Sequence, residues 1–421
     1  MSTPAAPEHV LGDVTEVEAW ASCGAMALTG RPGRPPLGPP AGLVPRLRSL
    51  GVSLAGHLHR RAGAPEVDPL ALLGERAAIA GLTRGGDASC GRAARLLPAA
   101  DGWIAVSLPR EADLDAVPAW LELGGVVPGA PADVWAAVRA EVHSRSAATL
   151  VERGRLLGMA VAALPGDERS TRRAAGRVPG ARFRHRGGPR HGTSGESLLV
   201  VDLSSLWAGP LCSHLLQQAG MRVVKVESSA RPDGARRGAP AFFDLLNQGK
   251  QSVALDFALE ADRRWLRRLL RAADVVVEAS RPRALEQLGI VAHECLADGT
   301  RVWTSITGYG RDEPGRDWVA FGDDAAVAGG LVVWDERGPC FCADAVADPL
   351  AGITAAVAVL DALDDGRPQL VDVAMRDVAA GFAGPTLAAG PGCHWSPPSA
   401  RRGRGRGPRI GEHTDEVLRT L

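Results

Sequence analysis

The chain has 421 residues, 48 basic and 48 acidic side chains, and 45% hydrophobic residues, the composition of an ordinary soluble globular protein with room for two or three cores. Zero net charge leaves no global field to recruit nucleic acid or an anionic membrane, and no apolar run has the length of a membrane span. Residues 1–8 lack the basic and apolar regions of a secretory signal, and seven widely spaced cysteines, odd in number, fit reduced thiols in a cytoplasmic protein. Cys340 and Cys342 alone do not make a tetrahedral zinc site, so no metal is expected.

In chain order, residues 1–166 read as one block. Residues 16–29 fit a helix packing Trp20, Met26 and Leu28, and residues 31–40 are a Pro/Gly-rich loop. Asp101-Gly-Trp-Ile-Ala-Val-Ser107 reads as a turn feeding a strand, 131–157 as helices stopping at Gly158, and 159–164 as a short apolar strand. Residues 167–196, dominated by Arg, Gly, Pro and Ser, read as a solvated linker. Residues 197–390 then alternate strands (198–203, 222–227, 252–255, 275–278, 302–306, 370–375) with helices (210–218, 260–272, 350–363, 376–388). This alternation predicts an α/β fold: a doubly wound, mostly parallel, Rossmann-like sheet, with a second, smaller α+β domain in the first block. Residues 391–421 read as a flexible Arg/Gly segment and a terminal helix with Thr414 as N-cap.

Arginine outnumbers lysine 46 to 2, and the two lysines, Lys225 and Lys250, lie 25 residues apart. A compact ammonium near a strand and a turn suits a phosphate or a buried carboxylate. Three segments could carry chemistry. Ser204-Ser-Leu-Trp-Ala-Gly-Pro210 places a helix N-terminus just past a strand, where open α/β sheets bind ligands, or is a plain βαβ turn. Ala347-Asp-Pro-Leu-Ala-Gly352 reads as a helix start with Asp348 at the N-cap and Pro349 at the first position. A partly desolvated carboxylate there, held ionised by the helix amides, can also attack a thioester; Asp344 is its rival. Thr304-Ser-Ile-Thr-Gly-Tyr-Gly310 lets backbone amides approach a ligand as oxyanion donors, or is a strand-to-turn signal.

Taken in order, these segments, together with Asn247-Gln-Gly-Lys-Gln-Ser252, Val277-Glu-Ala-Ser-Arg-Pro282 and Gly411-Glu-His-Thr-Asp-Glu416, resemble the family III CoA-transferases, the carnitine dehydratase and formyl-CoA transferase group. The resemblance implies an enzyme that moves coenzyme A from an acyl-CoA to a carboxylic acid. Asp348 would be acylated, then carry CoA as an aspartyl thioester, with no permanently bound cofactor. It implies CoA-binding roles for Arg236, Asn247, Lys250 and Arg281, with Lys250 on a phosphate. Trp207, Ala208, Gly308, Tyr309 and Gly310 would form the acyl and oxyanion pocket, Lys225 would be structural, and the protein would be an interlocked homodimer.

The chain departs from the family pattern in three ways. Trp207 stands where formyl-CoA enzymes carry glutamine. The family's Arg-Pro-Gly is Arg281-Pro282-Arg283 here. The small-domain pattern lies at the N-terminus, as in a rearranged or fused version. A racemase of α-methylacyl-CoA shares the fold, but Asp323 replaces its histidine. A catalytically degenerate CoA-binding subunit is a further alternative, and a nicotinamide dehydrogenase lacks its glycine fingerprint.

Overall fold

The computed structural model describes residues 14–63, 67–124, 131–166, 178–185, 197–390 and 392–421. The first block divides in two. Helices α1 (Val14–Ser22), α2 (Leu43–Ala62) and α3 (Glu75–Ala80) bury Trp20, Leu47, Leu54 and Ala77 in the core of the main sheet rather than in a lobe of their own. A separate small lobe follows, built from β1 (Ala94–Ala99), β2 (Gly102–Ser107), α4 (Glu111–Trp120), α5 (Pro131–Val142), α6 (Ala147–Leu156) and β3 (Ala160–Ala163). Its strands form an antiparallel sheet in the order β1-β2-β3, with a core of its own around Ile104, Trp120, Val138 and Leu150. The helices expected over 131–157 are two, and the second starts where Asp101 takes the Ala147 amide (2.7 Å) and the Ser146 hydroxyl (2.9 Å).

The main sheet has seven strands, and the chain enters it through an edge strand, β4 (Ala181–His185). This strand falls in the stretch read as linker. It pairs antiparallel with the last strand of the sheet, and Arg184 bonds Asp312 (2.6 Å) beside it; 167–177 and 186–196 of that stretch lie outside the described residues. The alternation predicted for 197–390 follows: β5 (Leu199–Asp202), α7 (Ala208–Gln218), β6 (Arg222–Ser228), α8 (Pro240–Asn247), β7 (Gln251–Leu255), α9 (Glu260–Ala272), β8 (Val275–Glu278), α10 (Pro282–Glu286), α11 (Ala292–Ala297) and β9 (Val302–Thr307). Then come α12 (Gly322–Ala328), a hairpin of β10 (Val332–Asp335) and β11 (Gly338–Phe341), α13 (Ala347–Asp365), β12 (Gln369–Ala374) and α14 (Met375–Phe382).

The order is β4-β12-β9-β8-β5-β6-β7, every pairing parallel except that of β4. Each residue of β5, β8, β9 and β12 is buried, as expected of strands covered on both faces. The strand order reverses at β5, between β6 and β8, so a crevice opens at the carboxyl ends of β5 and β8. That edge carries 203–207, 279–281 and 308–310.

Helix α13 lies inside the molecule, packed against α7, α2 and β12. Of residues 347–360 every one is buried except Asp348. A helix apolar on all sides has to be enclosed, and Gly352 permits it: a Cβ there would stand 2.7 Å from the Ala208 carbonyl and 3.1 Å from Leu211.

The C-terminal segment, read as flexible, is tied down. Arg401 bonds Glu75 (2.5 and 3.0 Å), Gly407 N donates to Asp244 (2.8 Å), and the Pro408 carbonyl accepts from Arg236 (3.0 Å). Helix α15 (Thr414–Arg419) ends the chain with His413, not Thr414, as N-cap, because the Thr414 hydroxyl is engaged by the Ala254 amide of β7 (3.1 Å). Among the described residues no helix is long and apolar enough to cross a membrane.

Replacing Gly352 by valine forces the α13–α7 crossing apart. The expected loss is about 1–3 kcal/mol, the usual cost of overpacking a core, read as a lower urea midpoint with an unchanged slope.

Candidate active site

The loop entering α13 collects acids around one arginine. Arg76, from α3, grips Asp344 with two hydrogen bonds (2.8 and 2.5 Å), and Asp344 is fully buried. This bidentate ion pair occupies Asp344 and removes it as a rival nucleophile. Asp348 is the second residue of α13 and Pro349 the third, so the helix begins one residue before the expected N-cap. The Asp348 carboxylate lies against Gly322 of α12, where a Cβ would come within 2.3 Å of it, and the Gly322 amide bonds it. Asp323 accepts from the Ala345 amide (3.1 Å) and so holds the same loop. Ala343 and Ala345 both take left-handed backbone angles (φ 53° and 43°), an uncommon conformation for a residue with a Cβ.

These surroundings set the charge. Burial pushes Asp348 up, Arg76 opposes it, Asp323 and Asp344 push the same way as burial, and the carboxyl reaches about 7. Asp323 is raised to about 6, by burial first and then by Asp344, with Arg76 opposing. The helix amides therefore do not keep Asp348 firmly ionised. Desolvation and two neighbouring acids outweigh them and the arginine.

Trp207 and Ala208 flank this cluster from the β5–α7 turn. Arg76 lies 5.4 Å above the Trp207 ring, which meets Phe242 edge-on at 5.2 Å, and Leu206 before it has φ 69°. The pair packs the wall beside Arg76, and the Ala208 carbonyl is the close neighbour of Gly352.

The remaining predicted residues separate into two groups. Tyr309 and Arg281 line a cleft of about 1150 Å³ between the small lobe and the carboxyl edge of the sheet. Tyr309 is buried, stacks edge-on with Trp318 (5.2 Å), and burial raises its phenol to about 12. Gly310 is not a free oxyanion donor. The Gly310 amide is bound by the Thr307 hydroxyl (2.8 Å), and Gly308 serves close packing, with a would-be Cβ 2.6 Å from Ala320. Asp348 does not line this cleft. The first turn of α12 stands between them, with Asp324 on the Tyr309 side and Gly322 against Asp348.

The second group is built into the scaffold, and Lys250 has no N–H left for the phosphate expected of it. Lys250 is fully buried with oxygens of Asp202 (3.2 Å), Pro210 (3.0 Å), Ser213 (2.7 Å) and Asn247 (3.0 Å) around its ammonium. Three N–H groups facing four acceptors leave none for a ligand. Burial lowers Lys250 to about 8. Asn247 spends its amide on the Phe243 carbonyl (3.0 Å). Arg236 grips Glu227 and lies 4.1 Å over the Phe243 ring. Lys225 is structural as expected, bonding Asp233 (2.9 Å) and the Ser204 carbonyl (2.8 Å). Both lysines act on Asp202 at the end of β5: burial alone would raise it, but they hold it at about 2.

Sequence reasoning passed over Arg76, Arg155 and Trp318. Arg76 is one arginine of 46, and its partner lies 268 positions away, so no spacing could single it out.

Residues 196–411 match the model of a protein family described as CoA-transferase family III. The chain is 28% identical over 197 residues to the succinyl-CoA–D-citramalate CoA-transferase of Chloroflexus aurantiacus, covering 43% of this chain and 49% of that protein. It is 31% identical over 206 residues to a probable fatty acyl-CoA transferase of Mycobacterium tuberculosis, covering 44% and 52%. A crystal structure of a CaiB/BaiF family protein from Brucella suis aligns with a TM-score of 0.41 at 30% identity, over 44% of this chain and 53% of that one. The chain thus spans about half the length of the curated relatives it matches.

Two substitutions separate structure from chemistry here. Lys250→Met strands a buried carboxylate and is expected to cost about 3–5 kcal/mol, seen in urea unfolding rather than as a selective rise in the Michaelis constant for a thioester. Arg76→Met is expected to cost a similar amount by leaving Asp344 unpaired, and also to push the Asp348 titration upward, because the guanidinium that opposes burial is gone. Carbon-13 NMR of labelled aspartate reads that shift.

Proposed function

The chain belongs to CoA-transferase family III, and on that premise we propose that it moves coenzyme A from an acyl-CoA thioester to a carboxylic acid through covalent intermediates on Asp348. The observation that carries this reading is the position of Asp348. It is the one partly exposed residue in the first fourteen of an otherwise enclosed helix, poorly solvated, and free of the ion pair that occupies Asp344. A desolvated carboxylate with a pKa near 7 is ionised in part at neutral pH and stripped of the hydration that blunts carboxylates in water.

The steps balance without a redox partner. The Asp348 carboxylate attacks the thioester carbonyl, a C–O bond forms, the C–S bond breaks and CoA thiolate leaves, giving a mixed anhydride. The thiolate returns to the aspartyl carbonyl and releases the donor acid, leaving CoA on Asp348 as a thioester. The acceptor carboxylate displaces the thiolate to form a second anhydride, and the thiolate takes the acceptor acyl group and frees Asp348. Arg76 stays bound to Asp344 throughout and keeps its charge beside the nucleophile. Of the cations expected to bind CoA, Arg281 is the one left exposed, at the start of α10.

Asp348→Asn should abolish CoA exchange and leave CoA binding by calorimetry nearly unchanged. Incubation with succinyl-CoA or acetyl-CoA and hydroxylamine should place a hydroxamate on Asp348, found by peptide mass spectrometry. The rate of trapping should rise with pH through about 7, because the raised pKa keeps the acid protonated below it. Loss of an α-hydrogen to deuterated water without CoA exchange would instead assign a racemase to this fold.

A further inference from the structure

The cleft between the small lobe and the sheet has a side chain aimed into it that no part of the reaction above uses. Arg155 comes from α6 of the small lobe, outside the stretch that matches the family. Its guanidinium lies 3.6 Å from the centre of the Trp318 ring and 5.0 Å from that of Tyr309, so both rings fix it from the sheet side. The other arginines of the cleft have carboxylates at hand: Arg376 pairs with Asp377 (2.6 Å) and Arg283 approaches Asp317 (4.0 Å), while Arg281 stands exposed at the rim. Among the described residues Arg155 forms no ion pair, and its Nε is buried without a hydrogen-bond partner. The Tyr309 hydroxyl, also in the cleft wall, is buried with Arg155 as its hydrogen-bonding neighbour. A hydrogen-bond acceptor bound in the cleft would satisfy the open Arg155 Nε.

We propose that Arg155 and Tyr309 form a carboxylate subsite that holds the acceptor acid. The match is chemical. A planar guanidinium and a neutral phenol both donate, and a carboxylate offers two oxygens in one plane to receive them. The inference rests on the CoA-transfer reading, with Arg155 as a positioning residue supplied by the small lobe.

The test separates the two. Hydroxylamine trapping on Asp348 needs no acceptor, so its failure counts against the transferase alone. Binding of succinate by calorimetry, without CoA, tests the subsite. The wild type should bind succinate, and Arg155→Leu and Tyr309→Phe should each weaken it about tenfold or more, the worth of one charge-assisted hydrogen bond. Arg155→Lys should restore part of the loss. In steady state Arg155→Leu should raise the Michaelis constant for the acid and leave trapping intact. Because Arg155→Leu could loosen the lobe, Tyr309→Phe, which removes only the hydroxyl, is the second variant. No succinate binding by the wild type, unchanged binding in both variants, or equal binding of inorganic phosphate would each overturn the subsite.

Discussion

The Arg76–Asp344 ion pair joins two stretches 268 residues apart and fixes the charge balance beside the candidate nucleophile. Three carboxylates, Asp323, Asp344 and Asp348, crowd the entrance of α13, and such a group is tolerated only with a cation among them. Arg76 is that cation. By neutralising Asp344 outright it leaves Asp348 unpaired but not isolated, and the balance of burial, like charges and one guanidinium puts Asp348 near 7 rather than far above it. The arginine comes from a helical segment before the small lobe, so the site depends on the N-terminal block docking on the sheet.

A second buried network supports the crevice from below. Asp202 ends β5, the strand at which the order of the sheet reverses, and holds the Ser204 and Ser213 hydroxyls with Lys250 closing the set. Lys225 ties the Ser204 carbonyl to Asp233, whose carboxylate also takes the Leu206 amide (2.9 Å). The turn carrying Trp207 is therefore clamped from both ends. This explains why lysine persists at two positions in a chain otherwise committed to arginine: a small ammonium fits a closed oxygen cage that a planar fork would burst.

Much of the architecture was legible. The strands 275–278 and the helix 260–272 have the predicted bounds, because continuous Val runs and a strongly two-faced Arg/Leu helix leave little alternative. Helix α2, the β10–β11 hairpin and the edge strand β4 were not legible: α2 has polar and apolar residues whose partners lie on α13, and β4 reads as arginine-rich tether until β12 needs an edge. For the site, the motif around Asp348 pointed to a candidate nucleophile but placed it at the N-cap, two positions before its place in the helix, and overstated the helix amides. Lys250, Asn247 and Arg236 showed the limit more sharply. A motif marks that a residue matters, and only burial and partner count tell a ligand contact from a scaffold.

The central claim is that the group transferred passes through covalent bonds to the Asp348 side chain. It is tested most directly by supplying the acceptor acid with heavy oxygen in its carboxylate and measuring the mass of the peptide that contains Asp348 after a single round of transfer. The account predicts that one labelled oxygen is left on Asp348, because the bridging oxygen of the second anhydride stays with the aspartate. Product CoA thioester formed with no label on Asp348 would contradict it.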